Sequence, residues 1–149
     1  MEPKIVTKPA FTVIGLYIRT KPMSPDIPAL WDRFVPRMGE IQNVSEPYTS
    51  YGVMGNHGAD GFDYLAGDPA EQTDNLPEGM TLWQIPANTY AVFDATLSNV
   101  GQVFNDIYNK WLPSSEYQPV DGFTLERYGE DFSPDTPNFT VFVPIQKKK

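Results

Sequence analysis

The chain has no cysteine and a single histidine, His57. Thiolate nucleophiles, disulfide scaffolds and cysteine-ligated zinc are therefore excluded. A histidine-based metal centre or a Ser-His-Asp triad has one candidate ring and no second. Basic residues are also scarce: 11 Lys and Arg stand against 19 Asp and Glu, a formal charge of −8. Nucleic-acid backbones are bound through a basic footprint, and the one basic cluster here is the terminal Lys147-Lys148-Lys149. No direct nucleic-acid binding is expected of this chain. No stretch approaches the roughly 18 apolar residues of a membrane span, and Met1-Glu-Pro-Lys4 lacks the basic-then-apolar order of a signal peptide. The expectation is a cytoplasmic protein whose negative field draws cations.

What is present is enough for a core. The 149 residues are 40% hydrophobic and 13% aromatic, which suits one compact domain over 1–149. Lys4 to Thr20 is β-rich, and the turn Lys21-Pro-Met-Ser-Pro-Asp26 ends in a cap for a helix from Ile27 to about Gln42 with Leu30, Trp31, Phe34 and Met38 at helical spacing. Pro36 should kink or end that helix. Tyr48 to Asn56 and Phe62 to Ala66 read as short strands joined through His57-Gly-Ala-Asp-Gly61. The same order then recurs: strand from Thr81 to Leu97, helix from about Asn99 to Leu112, strands Phe123 to Glu130 and Phe139 to Ile145. Ser133-Pro-Asp-Thr-Pro137 is a turn between the last two.

The halves, about 4–66 and 81–145, superpose without gaps. Pro9, Ala10 and Thr12 fall on Pro86, Ala87 and Thr89, an offset of 77. At that offset Leu30-Trp31 meets Ile107-Tyr108, Tyr51-Gly52 meets Tyr128-Gly129, and Phe62 meets Phe139. Two copies signal a duplication; a solenoid needs several. Two β-α-β-β units predict an α+β fold: an antiparallel sheet, two helices on one face, and a ligand groove at the pseudo-twofold axis. The acidic stretch 67–80 reads as a solvated loop between the halves.

The most informative side chain is Glu126, in Phe123-Thr-Leu-Glu-Arg-Tyr128. On a strand, Glu126 and Tyr128 share a face. An acid among aromatics is costly to desolvate unless a positive charge meets it, so Glu126 is a candidate receptor for an apolar cation. The alternative is a solvated acid paired with Arg19, Arg127 or Lys110. At the offset of 77, Glu126 falls on Thr49, so the two halves differ at the acid. No metal is expected, because Asp60, Asp63 and Asp68 lack calcium-loop spacing. Phosphate binding is not expected either, since Gly52, Gly55 and Gly58 precede no helix.

These motifs, in this order, resemble the GyrI-like effector-binding domain of multidrug-responsive regulators. The marks are Lys8-Pro-Ala-Phe-Thr-Val-Ile-Gly15, Leu30-Trp31, Tyr51-Gly52, Gly79-Met80, Ile85-Pro-Ala-Asn-Thr-Tyr-Ala-Val-Phe93, Trp111-Leu112-Pro113-Ser114 and Phe123-Thr-Leu-Glu-Arg-Tyr128. The similarity is greatest to the stand-alone members carried on integron cassettes. The resemblance implies a pocket for lipophilic cations with a glutamate on the penultimate strand, which matches Glu126, and aromatic walls. Trp31, Tyr51, Trp83, Tyr90, Tyr108 and Tyr128 are the candidates for those walls, whereas Phe34 and Trp111 read as core. The function expected is a non-catalytic sensor or sequestering module without a cofactor. Two rivals are a hydrolase with Glu126 as general base and a protein-interaction module, since the resemblance extends to a modulator of DNA gyrase.

Overall fold

Each of the two long β-rich runs is broken by a Pro-Ala step. β1 (Lys4–Lys8) gives way at Pro9-Ala10 to β2 (Phe11–Thr20), and β5 (Thr81–Ile85) gives way at Pro86-Ala87 to β6 (Asn88–Thr96). Proline fixes φ and has no N–H to offer a ladder, so a strand ends there. The computed structural model describes residues 2–71, 75–133, 135 and 137–149. The other strands are β3 (Ser50–Gly58), β4 (Gly61–Pro69), β7 (Tyr117–Pro119), β8 (Thr124–Tyr128) and β9 (Asn138–Lys147).

Helix α1 (Asp26–Phe34) starts where Ser24 Oγ accepts the Asp26 N–H at 3.1 Å, with Pro28 in its first turn. It turns at Val35 into a 3-10 segment, Val35–Glu40, where Pro36 withholds its N–H. Helix α2 (Val100–Asp106) runs on through a π-helical turn, Ile107–Trp111, into a last turn, Leu112–Ser114. His57 is the next-to-last residue of β3, exposed and stacked on Phe62 at 5.2 Å. Gly67, Asp68 and Pro69 belong to β4, so the connection between the halves is shorter than expected. Gln72–Asp74 of that connection, and Pro134 and Thr136 of the expected turn, lie outside the described residues.

The strands form one antiparallel sheet in the order β1-β6-β9-β8-β3-β4-β2-β5, with β7 on β9. β1 and β2 are two residues apart in the chain yet stand near opposite ends of that order, and so do β5 and β6. The sheet must therefore curl until its ends meet. Lys4 pairs with Val92, and the offset of 77 turns this into Thr81 with Gly15, a pairing that is also present. Along the seam between halves, Ser50 pairs with Tyr128 and Tyr51 with Arg127. The offset exchanges these two pairs, so the pseudo-twofold axis passes between them.

Alternation divides the core in two. On the helix face, α1 buries Leu30 and Phe34 against Ile14, Leu16, Tyr64 and Ala66. On the same face α2 and the π-turn bury Val103, Ile107 and Leu112 against Ala91, Phe93, Val141 and Val143. Trp111 joins this second cluster, edge-on to Phe93 at 5.2 Å. Inside the curl, Val13, Tyr51, Val53, Leu65, Ile85, Tyr90, Leu125 and Phe142 form another core. Two helices on one face of an antiparallel sheet make this the expected α+β fold. Among the described residues no helix is long and apolar enough to cross a membrane.

Gly15 of β2 pairs with Gly67 of β4 with the backbones packed too closely for a Cβ on either. A Cβ on Gly15 would run into the Ala66 carbonyl oxygen, and one on Gly67 would meet the backbone of Ile14. Backbone leaves little room to yield, so Gly15→Ala should lower stability by about 2–4 kcal/mol. Urea denaturation checks this, and an unchanged midpoint would show that β2 and β4 can separate freely.

Candidate functional site

The seam builds the site. Side chains at every second position face the helices, so the register places residues in rows across the sheet. One row reads Ala66, Gly52, Glu126, Val141, and the next reads Asp68, Ser50, Tyr128. Glu126 thus stands near the axis on the floor between the helices, held by ladders on both sides. It is 9% exposed.

Glu126 has phenols for partners where a cation would be the usual one. Tyr64 O–H donates to Glu126 Oε1 at 2.8 Å, and Tyr128 O–H donates to the same oxygen at 3.2 Å. Trp31 Nε1–H donates to the Tyr64 hydroxyl at 2.9 Å, so indole, phenol and carboxylate form one chain from α1 through β4 to β8. Among the described residues no hydrogen bond reaches Oε2. The Trp31 ring lies edge-on to Tyr128 at 5.3 Å and to Phe34 at 5.9 Å. Tyr128 packs in turn on Phe139 at 4.7 Å and Phe132 at 4.9 Å. Gly52 is required here, because a Cβ would displace the Tyr64 hydroxyl and stand 2.6 Å from Glu126 Oε1.

The solvated-acid alternative for Glu126 does not hold. Arg19 pairs with Asp60 and Asp63, Arg127 with Glu46, and Lys110 with Asp106. Burial raises the Glu126 pKa above the usual carboxylate value, and the two phenol donors only partly offset it. Burial, followed by the Glu126 charge, drives the Tyr64 and Tyr128 phenols far up, so both stay protonated donors.

Of the residues expected at the site, the structure brings together Glu126, Trp31 and Tyr128. Tyr51, Tyr90 and Trp83 are on the opposite face, inside or beside the curl. Tyr51 donates to Glu46 at 3.0 Å, and its phenol is pushed up by burial. Tyr90 packs edge-on to Phe142 at 5.7 Å, with burial pushing its pKa up to about 12. Trp83 packs on Phe123 at 5.4 Å and, with Tyr17 and Asp63, lines an open cavity of about 590 Å³ away from Glu126. Tyr108, on the π-turn, is exposed and stacks on Phe104 at 6.5 Å. It lines a second cavity of about 340 Å³ with Thr124, one row from Glu126.

Two functional candidates were not expected. Tyr64, the principal partner of Glu126, lies in Phe62-Asp-Tyr64, whose alternation is visible but whose cross-sheet neighbour is not. Asp68, read as part of a solvated loop, is 5% exposed on β4. It accepts the Ser50 hydroxyl at 2.6 Å, and burial pushes its pKa up to about 6.

Fold and site together define a GyrI-like effector-binding domain. The chain belongs to the family described as integron-associated effector binding protein (Cass2), which matches residues 4–145. It is 35% identical over 150 residues to the transcriptional regulator BrlR of Pseudomonas aeruginosa, covering 97% of this chain and 56% of the regulator. The chain thus spans about half the length of that curated relative. The structure of SAV2435 bound to tetraphenylphosphonium superposes with a TM-score of 0.78 at 13% identity, covering 98% of this chain and 94% of that one. An integron cassette protein from the mobile metagenome of Vibrio cholerae, VCH_CASS2, gives 0.70 at 20% identity, covering 97% and 96%. At these identities the two structures share the fold.

The raised pKa has a consequence for stability. A folded-state pKa above the unfolded one means that the native state holds the proton more tightly, so stability falls as pH rises through that window. Glutamine cannot ionise and keeps an oxygen for both phenols. Glu126→Gln should therefore raise the melting temperature near pH 8, with the gain shrinking toward about pH 4. An equal loss at both pH values would show that the carboxylate is fully compensated.

Proposed function

We propose that this protein binds small lipophilic cations through Glu126, as a sensor or sequestering module. The carrying observation is a buried carboxylate with no cation among its partners and one oxygen without a donor. A positive charge brought to Oε2 supplies what the fold withholds, and it does so where solvent screening is weak. Trp31 and Tyr128 add ring faces, each contributing about 0.5–2 kcal/mol to a cation placed over it. Selection by one charge and a few flat faces tolerates ligands of varied shape and rejects anions.

Access requires movement. Trp31 packs on Tyr128 while its N–H holds Tyr64, the partner of Glu126, in place. A ligand that reaches Glu126 slides between the α1 indole and the sheet, which breaks the Trp31–Tyr64 bond and leaves the Tyr64–Glu126 bond free to persist. Binding therefore couples the site to the position of α1. The likeness to a tetraphenylphosphonium-bound protein supports this ligand class, and the regulator BrlR supports a role in signalling.

Titration with tetraphenylphosphonium, followed by tryptophan emission and by thermal shift, tests the reading. Wild type should bind with a change in Trp31 emission, and Glu126→Gln should bind at least about tenfold more weakly. Equal affinity of the two proteins would overturn Glu126 as the receptor.

A further inference from the structure

Asp68 raises a question that the Glu126 site leaves open. It is nine-tenths buried on the helix face, in register with Ala66 and Tyr64 along β4. The Ser50 hydroxyl is its one hydrogen-bond donor among the described residues, and it enters no ion pair. A carboxylate kept for structure gathers several donors or a cation, because a bare buried charge is costly. Asp68 has neither, and its burial weakens the fold.

Its position gives the burial a purpose. Asp68, Ser50 and Tyr128 occupy one row across β4, β3 and β8, and the Tyr128 hydroxyl reaches Glu126 in the next row. Between the two acids lie the small residues Ala66, Gly52 and Ser50, with α1 packed over Ala66 and the Tyr64 hydroxyl over Gly52. Two strand spacings and one two-residue step separate the acids, roughly 12 Å between Cα atoms on ordinary sheet geometry. Neither acid is repeated in the other half. At the offset of 77, Asp68 falls on the buried Ile145 and Glu126 on Thr49, so each half supplies one acid at a non-equivalent place.

Resting on the cation reading above, we propose that Asp68 is a second anionic anchor and that the preferred ligands are elongated dications. One positive centre meets Glu126 Oε2 beneath Trp31, and the other meets Asp68 beside Ser50. The apolar linker passes over Ser50, in the space opened when α1 and Trp31 move off the sheet. A monocation satisfies one acid and leaves the other bare, so affinity depends on ligand length as well as on charge.

The test uses bis(trimethylammonio)alkanes with linkers from butane to decane, and decyltrimethylammonium as the single-charge control. Isothermal titration on wild type should show an affinity maximum at an intermediate linker, about tenfold tighter than the control. In Asp68→Asn, which keeps an oxygen for Ser50, the dication-to-monocation ratio should fall to about one, the maximum being lost. If the control binds but no linker improves on it, or if Asp68→Asn weakens both ligands equally, the second anchor is overturned and the Glu126 receptor stands. If neither ligand binds wild type, the cation reading fails and the second anchor with it. The linker series on wild type needs no variant to fold.

Discussion

The antiparallel pairing of β3 with β8 is the constraint on which the rest of the molecule depends. Among the described residues it is the one ladder in which the two repeats meet at their own axis, and it fixes which side chains stand opposite one another on the floor beneath the helices. Gly52 faces Glu126 across it, and the missing Cβ lets Tyr64 reach over from β4. A slip of one residue would turn Glu126 into the curled core and bring Leu125 out beneath Trp31. Register at the seam is therefore both a folding constraint and a chemical one.

The charges of the protein follow a pattern that the seam explains. Lys and Arg side chains are spent at the margins: Lys8 and Arg127 on Glu46, Arg19 on Asp60 and Asp63, Arg37 on Glu40, Lys110 on Asp106. The two acids buried on the helix face receive hydroxyl donors instead. Hydroxyls stabilise a carboxylate without cancelling its charge. The two carboxylates are thus held in place and keep their negative charge. Stability is given up there, in a fold otherwise well packed.

Much of the architecture was legible because the duplication is gapless. The offset of 77 maps the β1 bounds onto β5, and the starts of β2 and β4 onto those of β6 and β9. Pro36 ends α1 as its chemistry requires. Glu126 and Tyr128 were linked by alternation within one strand, and Trp31 by its place on an amphipathic helix. What local pattern does not carry is the partner across the ladder. Tyr51 and Tyr128 are equivalent in the repeat, yet an axis between Ser50↔Tyr128 and Tyr51↔Arg127 turns one toward Glu46 and the other toward Glu126. Tyr64 needed two registers, β4 on β3 and β3 on β8. Asp68 was hidden by composition, since Gly-Asp-Pro reads as a turn although it closes a strand.

The exchange of β1 and β5 between the halves bears on how the chain reaches its native state and on how it could have evolved. β1 finds its partner in β6, with Lys4 against Val92, and β5 finds its partner in β2. Neither ladder can form until most of the polypeptide has been made, which gives a high contact order and slow, late closure. A single ancestral unit could have completed the same curl only by exchanging its first strand with a second copy. Fusion of the two copies turned that association into an intramolecular one, raising its effective concentration. Within one chain the two copies can differ, and at the seam they do, Glu126 standing where the other half has Thr49.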